Sequence, residues 1–159
     1  MATIEFEIRT LAPPDRVFDL SRSVELHVES TTSSRERVVG GVCSGLLDIH
    51  DEVEWEATHF GVTQRLRSRM TAFDRPHHFR DSMVSGAFRR FDHDHFFEEI
   101  EGGTSIRERF DFEAPLGPLG RIAEILILER YMRRLLVERT EVIVAVAESE
   151  RWSEYVLAV

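Results

Sequence analysis

Apolar and charged residues alternate strictly at the start of the chain. Between Thr3 and Arg9, isoleucine and phenylalanine fall on one face and Glu or Arg on the other, which is the two-residue period of a half-buried strand. Pro13-Pro14-Asp15 then suits the first turn of a helix that ends near Ser21. A second short helix is predicted over Val24 to Ser30, so one or two short helices follow the first strand.

The segment from Asp51 to Ala72 predicts an antiparallel hairpin that turns at Phe60-Gly61. That fold sets three glutamates opposite three arginines on one face. The other face then holds Val53 with Ser68, Trp55 with Leu66, Ala57 with Gln64, and His59 with Val62. A slip of one residue would turn the charged rows inward, so the pattern specifies the register.

Gly102-Gly103 predicts a second hairpin. The predicted register puts Glu98 opposite Arg107 outside. On the inner face, Phe91, His93, His95 and Phe97 are expected opposite Ala114, Phe112, Phe110 and Glu108. A strand from Phe79 to Ser85, with Phe79 and Met83 on one side, is expected between the hairpins.

The hydrophobic period changes to that of a helix in the last third of the chain. Gly117-Pro118 suits a helix start, and apolar residues recur at steps of three and four: Leu119, Ile122, Ile125, Leu128, Met132, Leu135, Val142 and Val146. This spacing predicts one helix of about 30 residues that packs its apolar stripe across the apolar face of the sheet.

Composition narrows the class of protein. The 159 residues suit a single domain, residues 1–159, and 42% hydrophobic residues with 11 Phe exclude a disordered chain. The net charge of −9 disfavours nucleic-acid binding. Charged residues near Met1 and the lack of a long apolar run indicate a cytoplasmic protein without membrane insertion. Cys43 is the only cysteine, so an intramolecular disulfide is excluded. We expect its thiol to be chemically inert.

The order of elements resembles the helix-grip fold of the START-like, pollen-allergen-like superfamily, also called SRPBCC, and in particular its polyketide cyclase/dehydrase-like bacterial members. The matching segments are Pro13 to Leu20, Asp51 to Trp55, Phe73 to Pro76, and Pro115 to Gly120. The resemblance implies an α+β fold, with a curved antiparallel sheet of about six to seven strands wrapped around a long C-terminal helix. It also implies a cavity for an apolar ligand, and supplies no shared catalytic set.

The apolar faces of the predicted strands and of the C-terminal helix together supply the candidate ligand-binding residues. They are Trp55, Leu66, Met70, Phe79, Met83, Phe91, His93, His95, Phe97, Glu108, Phe110 and Phe112 from the strands, and Ile125, Leu128 and Met132 from the helix. The alternative is that the apolar members fill an ordinary solid core, because packing density depends on three-dimensional fit.

Several polar residues share these inward faces: His59, Gln64, His93, His95 and Glu108. A buried polar group without a partner costs about 1–3 kcal/mol, so these groups must be paired, hydrated or used. They could form a hydrogen-bonded network, orient the polar head of a ligand, or transfer protons. In the last case His93, His95 and Glu108 would serve as acid and base.

His93-Asp94-His95 places two imidazoles on one face of a strand, which raises the question of a metal. With Gly86 and Glu99, these histidines come within one residue of the first cupin metal motif. The glycine after the glutamate is displaced and a second motif is missing. We therefore expect neither a metal nor a cofactor.

The predicted function is binding or transport of a small hydrophobic or amphipathic ligand, lipid-like or polyketide-like, between the sheet and the C-terminal helix. One alternative is a cyclase/dehydrase-type enzyme, although a protein without catalysis is the main expectation. Another is a homodimerising interaction module that uses the apolar extension at residues 151–159. That extension could also lengthen the helix or cover the cavity mouth.

Overall fold

A computed structural model describes residues 1–114 and 127–156. Its elements, in chain order, are β1 (Ala2–Thr10), α1 (Pro14–Ser21), α2 (Val24–Ser30), a 3₁₀ turn (Thr32–Ser34), β2 (Arg37–Gly41), β3 (Glu52–His59), β4 (Val62–Asp74), β5 (His78–Ser85), β6 (Arg90–Ile100), β7 (Gly103–Glu113), α3 (Glu129–Ala147) and α4 (Trp152–Val156).

All seven strands form one antiparallel sheet in the order β1-β7-β6-β5-β4-β3-β2. Register shifts between Val38 and Gly40 in β2, and at two places in β4, mark bulges, which bend a sheet. Helix α3 contacts β1, α1 and α2. This is the predicted helix-grip architecture, and the fold class is confirmed.

The register of the first hairpin is confirmed. Trp55 pairs with Leu66, and Glu56 with Arg65, as the charge pattern predicts. Phe60 and Gly61 have φ of 51° and 75°, the left-handed values that a two-residue hairpin turn requires. The Arg65 Nε atom donates a hydrogen bond of 3.1 Å to Glu56, which closes one of the predicted charged pairs.

The predicted register of the second hairpin is wrong by two residues. Glu98 lies opposite Ser105, because the turn uses Glu101 and Gly102 and leaves Gly103 in the strand. A Cβ on Gly103 would lie 1.9 Å from the Thr10 carbonyl oxygen, so this strand position accepts only glycine.

A shift of two residues preserves the side-chain faces but changes the partners across the strands. His95 was predicted opposite Phe110 and instead pairs with Glu108, while His93 pairs with Phe110. The corrected register therefore places a carboxylate directly beside two inward histidines.

Helix α3 is described over 19 residues. The predicted helix start at Gly117-Pro118 and the predicted site residue Ile125 lie outside the described residues. The extension does not lengthen the helix, because α3 ends at Ala147 and α4 packs against α1. The Arg16 guanidinium lies 4.3 Å from the centre of the Trp152 ring, which joins α1 to α4 and places this part of the extension away from the cavity.

Phe18 of α1 lies at the centre of the larger core cluster. Its ring is 5.3 Å from the rings of Phe73 and Phe79 and 5.4 Å from that of Phe97. Met70 also belongs to this cluster. Helix α1 therefore covers one end of the sheet's inner face with packed core, and the wider space between the sheet and the helices lies toward the other end.

Asp19 ties α1 to the turn before β5. Its side chain is 8% exposed and accepts hydrogen bonds from Arg22 Nε at 2.9 Å and Arg75 Nη2 at 2.7 Å. Burial alone would raise the pKa of Asp19, but the two guanidinium groups outweigh it and hold the pKa below its usual value.

We expect Asp19→Asn to lower the free energy of unfolding by about 2–3 kcal/mol at pH 7, because two arginines lose their charged acceptor. A depressed pKa stabilises the fold above the unfolded value of about 3.9. The difference from wild type should therefore shrink as the pH falls below about 4. Urea unfolding at pH 7 and at acid pH measures both effects. The exposed Asp15→Asn in the same helix is the control, and an equal loss in both variants would contradict this role of Asp19.

Candidate functional site

A cavity of about 420 Å³ lies between the sheet and helices α2 and α3. Strands β3, β4, β5, β6 and β7 supply one wall, and Met132 and Leu136 of α3 lie opposite. Phe60 and Ile127 also line this main cavity and are 62% and 60% exposed, which places them at its mouth. The volume falls within the usual range of small-molecule sites, about 300–1,000 Å³.

Seven of the predicted ligand-binding residues line the main cavity: Trp55, Leu66, Phe91, His93, Phe110, Leu128 and Met132. Their role in binding stays a prediction, but their placement meets its geometric requirement. They share the dry faces of the hairpins and the stripe that runs into α3.

Seven others do not line this cavity. Met70, Phe79 and Phe97 lie in the core around Phe18, because α1 covers that end of the sheet. The remaining residues either pack into the second core cluster or lie behind the wall: Met83, Phe112, His95 and Glu108. Two of the three groups of the acid–base alternative are thus separated from the main cavity, and only His93 lines it.

Glu108 lies beneath two histidines of the neighbouring strand. Its Oε2 atom is 2.8 Å from His93 Nε2 and 2.7 Å from His95 Nδ1. The side chains of His95 and Glu108 are 1% and 2% exposed, so their ion-pair contact is shielded from solvent. The glutamate holds both rings in place from below the cavity wall.

Asp81 completes the cluster from β5 and was missed in the sequence. Its Oδ1 atom lies 3.0 Å from His95 Nε2 and 3.9 Å from His93 Nδ1. The signal was present: Phe79 and Met83 were assigned to one side of this strand, and the two-residue period places Asp81 between them. We refer to Asp81, His93, His95 and Glu108 as the buried polar cluster.

The protonation states within the buried polar cluster follow from burial and mutual charge. Burial alone would raise the pKa of Glu108 and Asp81, but the histidines outweigh it and hold both pKa values below their ordinary range. Burial, with the neighbouring His95, lowers the pKa of His93. Burial would also lower the pKa of His95, but Glu108 and Asp81 outweigh it and raise that pKa. The carboxylates are therefore ionised, and His95 is the histidine that more readily holds a proton.

Arg139 of α3 is the second residue missed in the sequence. It is 7% exposed and lines the main cavity, and its Nη2 atom donates a 2.9 Å hydrogen bond to the Ser21 carbonyl at the end of α1. Its Nε atom is buried without a hydrogen-bond partner among the described residues. Arg139 lies three residues after Leu136 and four before Ile143, so the helical period already placed it on the buried stripe.

Two further polar contacts lie on the cavity wall. His59 Nδ1 is 2.8 Å from the Tyr131 hydroxyl oxygen, which links the first hairpin to α3 near the mouth. The His27 ring stacks on Trp55 at 4.0 Å, and its Nε2 atom is 3.3 Å from Glu36. The wall is thus an apolar surface that is interrupted by a few fixed polar groups, as in many ligand sites.

A family model described as "Polyketide cyclase / dehydrase and lipid transport" matches residues 1–148. The chain belongs to this family. Membership of the polyketide cyclase/dehydrase and lipid transport family supports hydrophobic ligand binding in general. No curated protein matches the sequence.

Solved structures with the same fold include TTHA0849 from Thermus thermophilus, at a TM-score of 0.72 and 20% identity over 93% of this chain and 100% of that one. Major latex-like protein 151 from Panax ginseng has a TM-score of 0.69 and 13% identity, over 93% of this chain and 98% of that one. Ara h 8.0201 has a TM-score of 0.65 and 16% identity, over 92% of this chain and 97% of that one. At these identities the likeness establishes the fold of this polyketide cyclase/dehydrase and lipid transport family member.

None of the helices within residues 1–114 and 127–156 has the length and apolar character needed to cross a membrane.

Proposed function

We propose that this chain binds a small amphipathic molecule whose apolar body fills the main cavity and whose acidic head contacts Arg139. The apolar part of the proposal rests on the wall between the sheet and α3, where Trp55, Leu66 and Phe110 face Met132 and Leu136. Burial of apolar ligand surface contributes about 25 cal/mol per Å², which supplies most of the expected affinity.

The observation that carries the acidic head is the buried Nε atom of Arg139, which has no partner among the described residues. A buried cation is costly unless it is paired, and the guanidinium fork matches a carboxylate through two parallel hydrogen bonds. The remaining contact of Arg139, through Nη2 to Ser21, orients the group without neutralising it.

The nearby carboxylates do not remove the need for an anion at Arg139. Asp81 and Glu36 are close enough for Arg139 to lower their pKa values, but each already has a histidine partner. Asp81 lies 3.0 Å from His95, and Glu36 lies 3.3 Å from His27. Arg139 is the arginine on the described wall, and its Nε–H is the donor that a ligand carboxylate could meet.

Decanoate and 1-decanol, which share a chain and differ in the head group, test this proposal in a calorimetric or fluorescence-displacement titration. We expect Arg139→Met to weaken decanoate binding about 10- to 100-fold, because a charged hydrogen bond is lost. Decanol binding should change little, since methionine retains the apolar stem of the side chain.

The control is Arg134→Met on the same helix, where the exposed arginine donates a hydrogen bond to Glu138 at 2.7 Å. It should leave both affinities unchanged. Equal weakening of decanoate and decanol in Arg139→Met would show damage to the cavity. Unchanged decanoate binding in a folded Arg139→Met would contradict the proposed head-group contact.

A further inference from the structure

Three side chains of the buried polar cluster bring metal-ligating atoms together. One nitrogen each of His93 and His95 and one carboxylate oxygen of Asp81 lie within 4.8 Å of one another. The sheet register explains this: His93 and His95 share one face of β6, and Asp81 pairs with His93 across β5 and β6. The three donors come from the interior of a sheet, so their positions are fixed by ladder hydrogen bonds.

The two histidines turn opposite edges toward two carboxylates. His93 Nε2 and His95 Nδ1 face Glu108, whereas His93 Nδ1 and His95 Nε2 face Asp81. A neutral imidazole carries one proton, and Glu108 favours that proton on the nitrogen it contacts. His95 Nε2 and Asp81 Oδ1 lie 3.0 Å apart and share a hydrogen bond, and His93 Nδ1 lies 3.9 Å from the same oxygen. A metal ion at this point would displace the proton that His95 and Asp81 share, and each ring would then offer a lone pair to the ion.

Glu108 has the position of an outer carboxylate that orients metal-binding histidines. Such a carboxylate accepts the N–H of the ring nitrogen that does not bind the metal, and so fixes the tautomer and the ring orientation. Here one Oε2 atom lies 2.8 and 2.7 Å from the two rings as an ion-pair contact, without hydrogen-bond geometry to either ring nitrogen. The cupin-like spacing places a third ligand at Glu99, near the histidines in the chain, whereas Asp81 lies on the neighbouring strand.

Space and access are both present beside the three donor atoms. Asp81 and His93 line the main cavity, and all three residues line a smaller cavity of about 90 Å³ next to it. An ion held by three protein ligands would keep an open coordination position on that side. Arg139 lines both cavities and lies near enough to help lower the pKa of Asp81, but the described residues include no ion pair between them, and Asp81 and Glu108 supply two carboxylates against this one guanidinium.

We propose that Asp81, His93 and His95 form a binding site for one divalent transition-metal ion of the zinc type, with Glu108 orienting both histidines. Two imidazoles and one carboxylate suit zinc and its neighbours in the first transition row, whereas magnesium and calcium prefer oxygen ligands. This inference is independent of the proposed ligand function, since the donor set is complete without any organic ligand.

The test is a calorimetric titration of chelator-treated full-length protein with zinc chloride, repeated with cobalt chloride and followed by visible absorption. We expect one Zn²⁺ per chain with a Kd in the micromolar range or tighter, and cobalt bands typical of mixed nitrogen and oxygen ligands. Magnesium chloride should give no saturable binding. Asp81→Asn and His95→Gln should each weaken zinc binding at least tenfold.

His77→Gln, at an exposed histidine, is the matched control and should bind zinc as wild type does. Asp81 is partly exposed, so Asp81→Asn retains the comparison if His95→Gln does not fold. Failure of the wild-type protein to bind zinc at one per chain would overturn the proposal and leave a proton on His95 as the cation of the cluster. A loss of binding in His77→Gln but not in Asp81→Asn would overturn it as well.

Discussion

Glu108→Ala should lower the free energy of unfolding by about 3–5 kcal/mol, the largest stability effect that we expect for a single substitution in the sheet. The glutamate is 1% exposed and contacts both histidines through one oxygen atom. Without it, His93 and His95 keep their buried polar edges and lose the charge that compensates for burial. Alanine also leaves a void in a packed layer, which adds to the loss.

Urea unfolding at pH 7 measures this effect. The control is Glu113→Ala at the end of the same strand, where the glutamate pairs at the surface with Arg89 and a loss below about 1 kcal/mol is expected. A double-mutant cycle of Glu108→Ala with His95→Ala should show strong coupling, because the two side chains are in direct contact. A loss below about 1 kcal/mol for Glu108→Ala would show that the cluster does not depend on this carboxylate.

Ala57→Phe should abolish most ligand binding while leaving the fold intact. Ala57 lies on the inner face of β3 and lines the main cavity, so a larger side chain would occupy empty space rather than a packed core. If the ring displaces about 100 Å² of apolar ligand surface, the loss is about 2.5 kcal/mol. That loss corresponds to about 60-fold weaker binding of decanoate.

The matched control for this variant is Ala145→Phe, which adds the same ring at an exposed position of α3. Its decanoate affinity should equal that of wild type. Thermal unfolding of both variants establishes that they are folded. If Ala57→Phe is folded and binds decanoate as tightly as wild type, the main cavity is not the binding site.

The fold could be predicted because its local patterns agree with one another. Alternation, turn residues and the helical period all indicate the same order of elements, and three charged pairs specify the register of the first hairpin. The second hairpin was ambiguous because two adjacent glycines permit more than one turn. The choice depends on the approach of Gly103 to the backbone of Thr10, a contact between distant parts of the chain.

The candidate site could be predicted only in part, because local patterns show which residues face inward but not how distant segments pack. The strand and helix periods place His93, His95, Asp81 and Arg139 on inward faces. Asp81 and Arg139 were nevertheless not predicted as site residues, because charged residues are normally assigned to the solvent-exposed side. The cover that α1 provides over Phe79 and Phe97 depends on how Phe18 packs, which no local pattern contains. The cavity likewise depends on three-dimensional packing.

The most direct measurement of the central claim is an NMR titration of isotope-labelled protein with decanoate. Saturable chemical-shift changes should be confined to residues around the main cavity. Nuclear Overhauser contacts should join the decanoate chain to the methyl groups of Leu66 and Met132, and the Arg139 Nε–H resonance should shift as the carboxylate binds. Saturable changes confined to the outer surface of the sheet, or no saturable change at all, would contradict ligand binding between the sheet and α3.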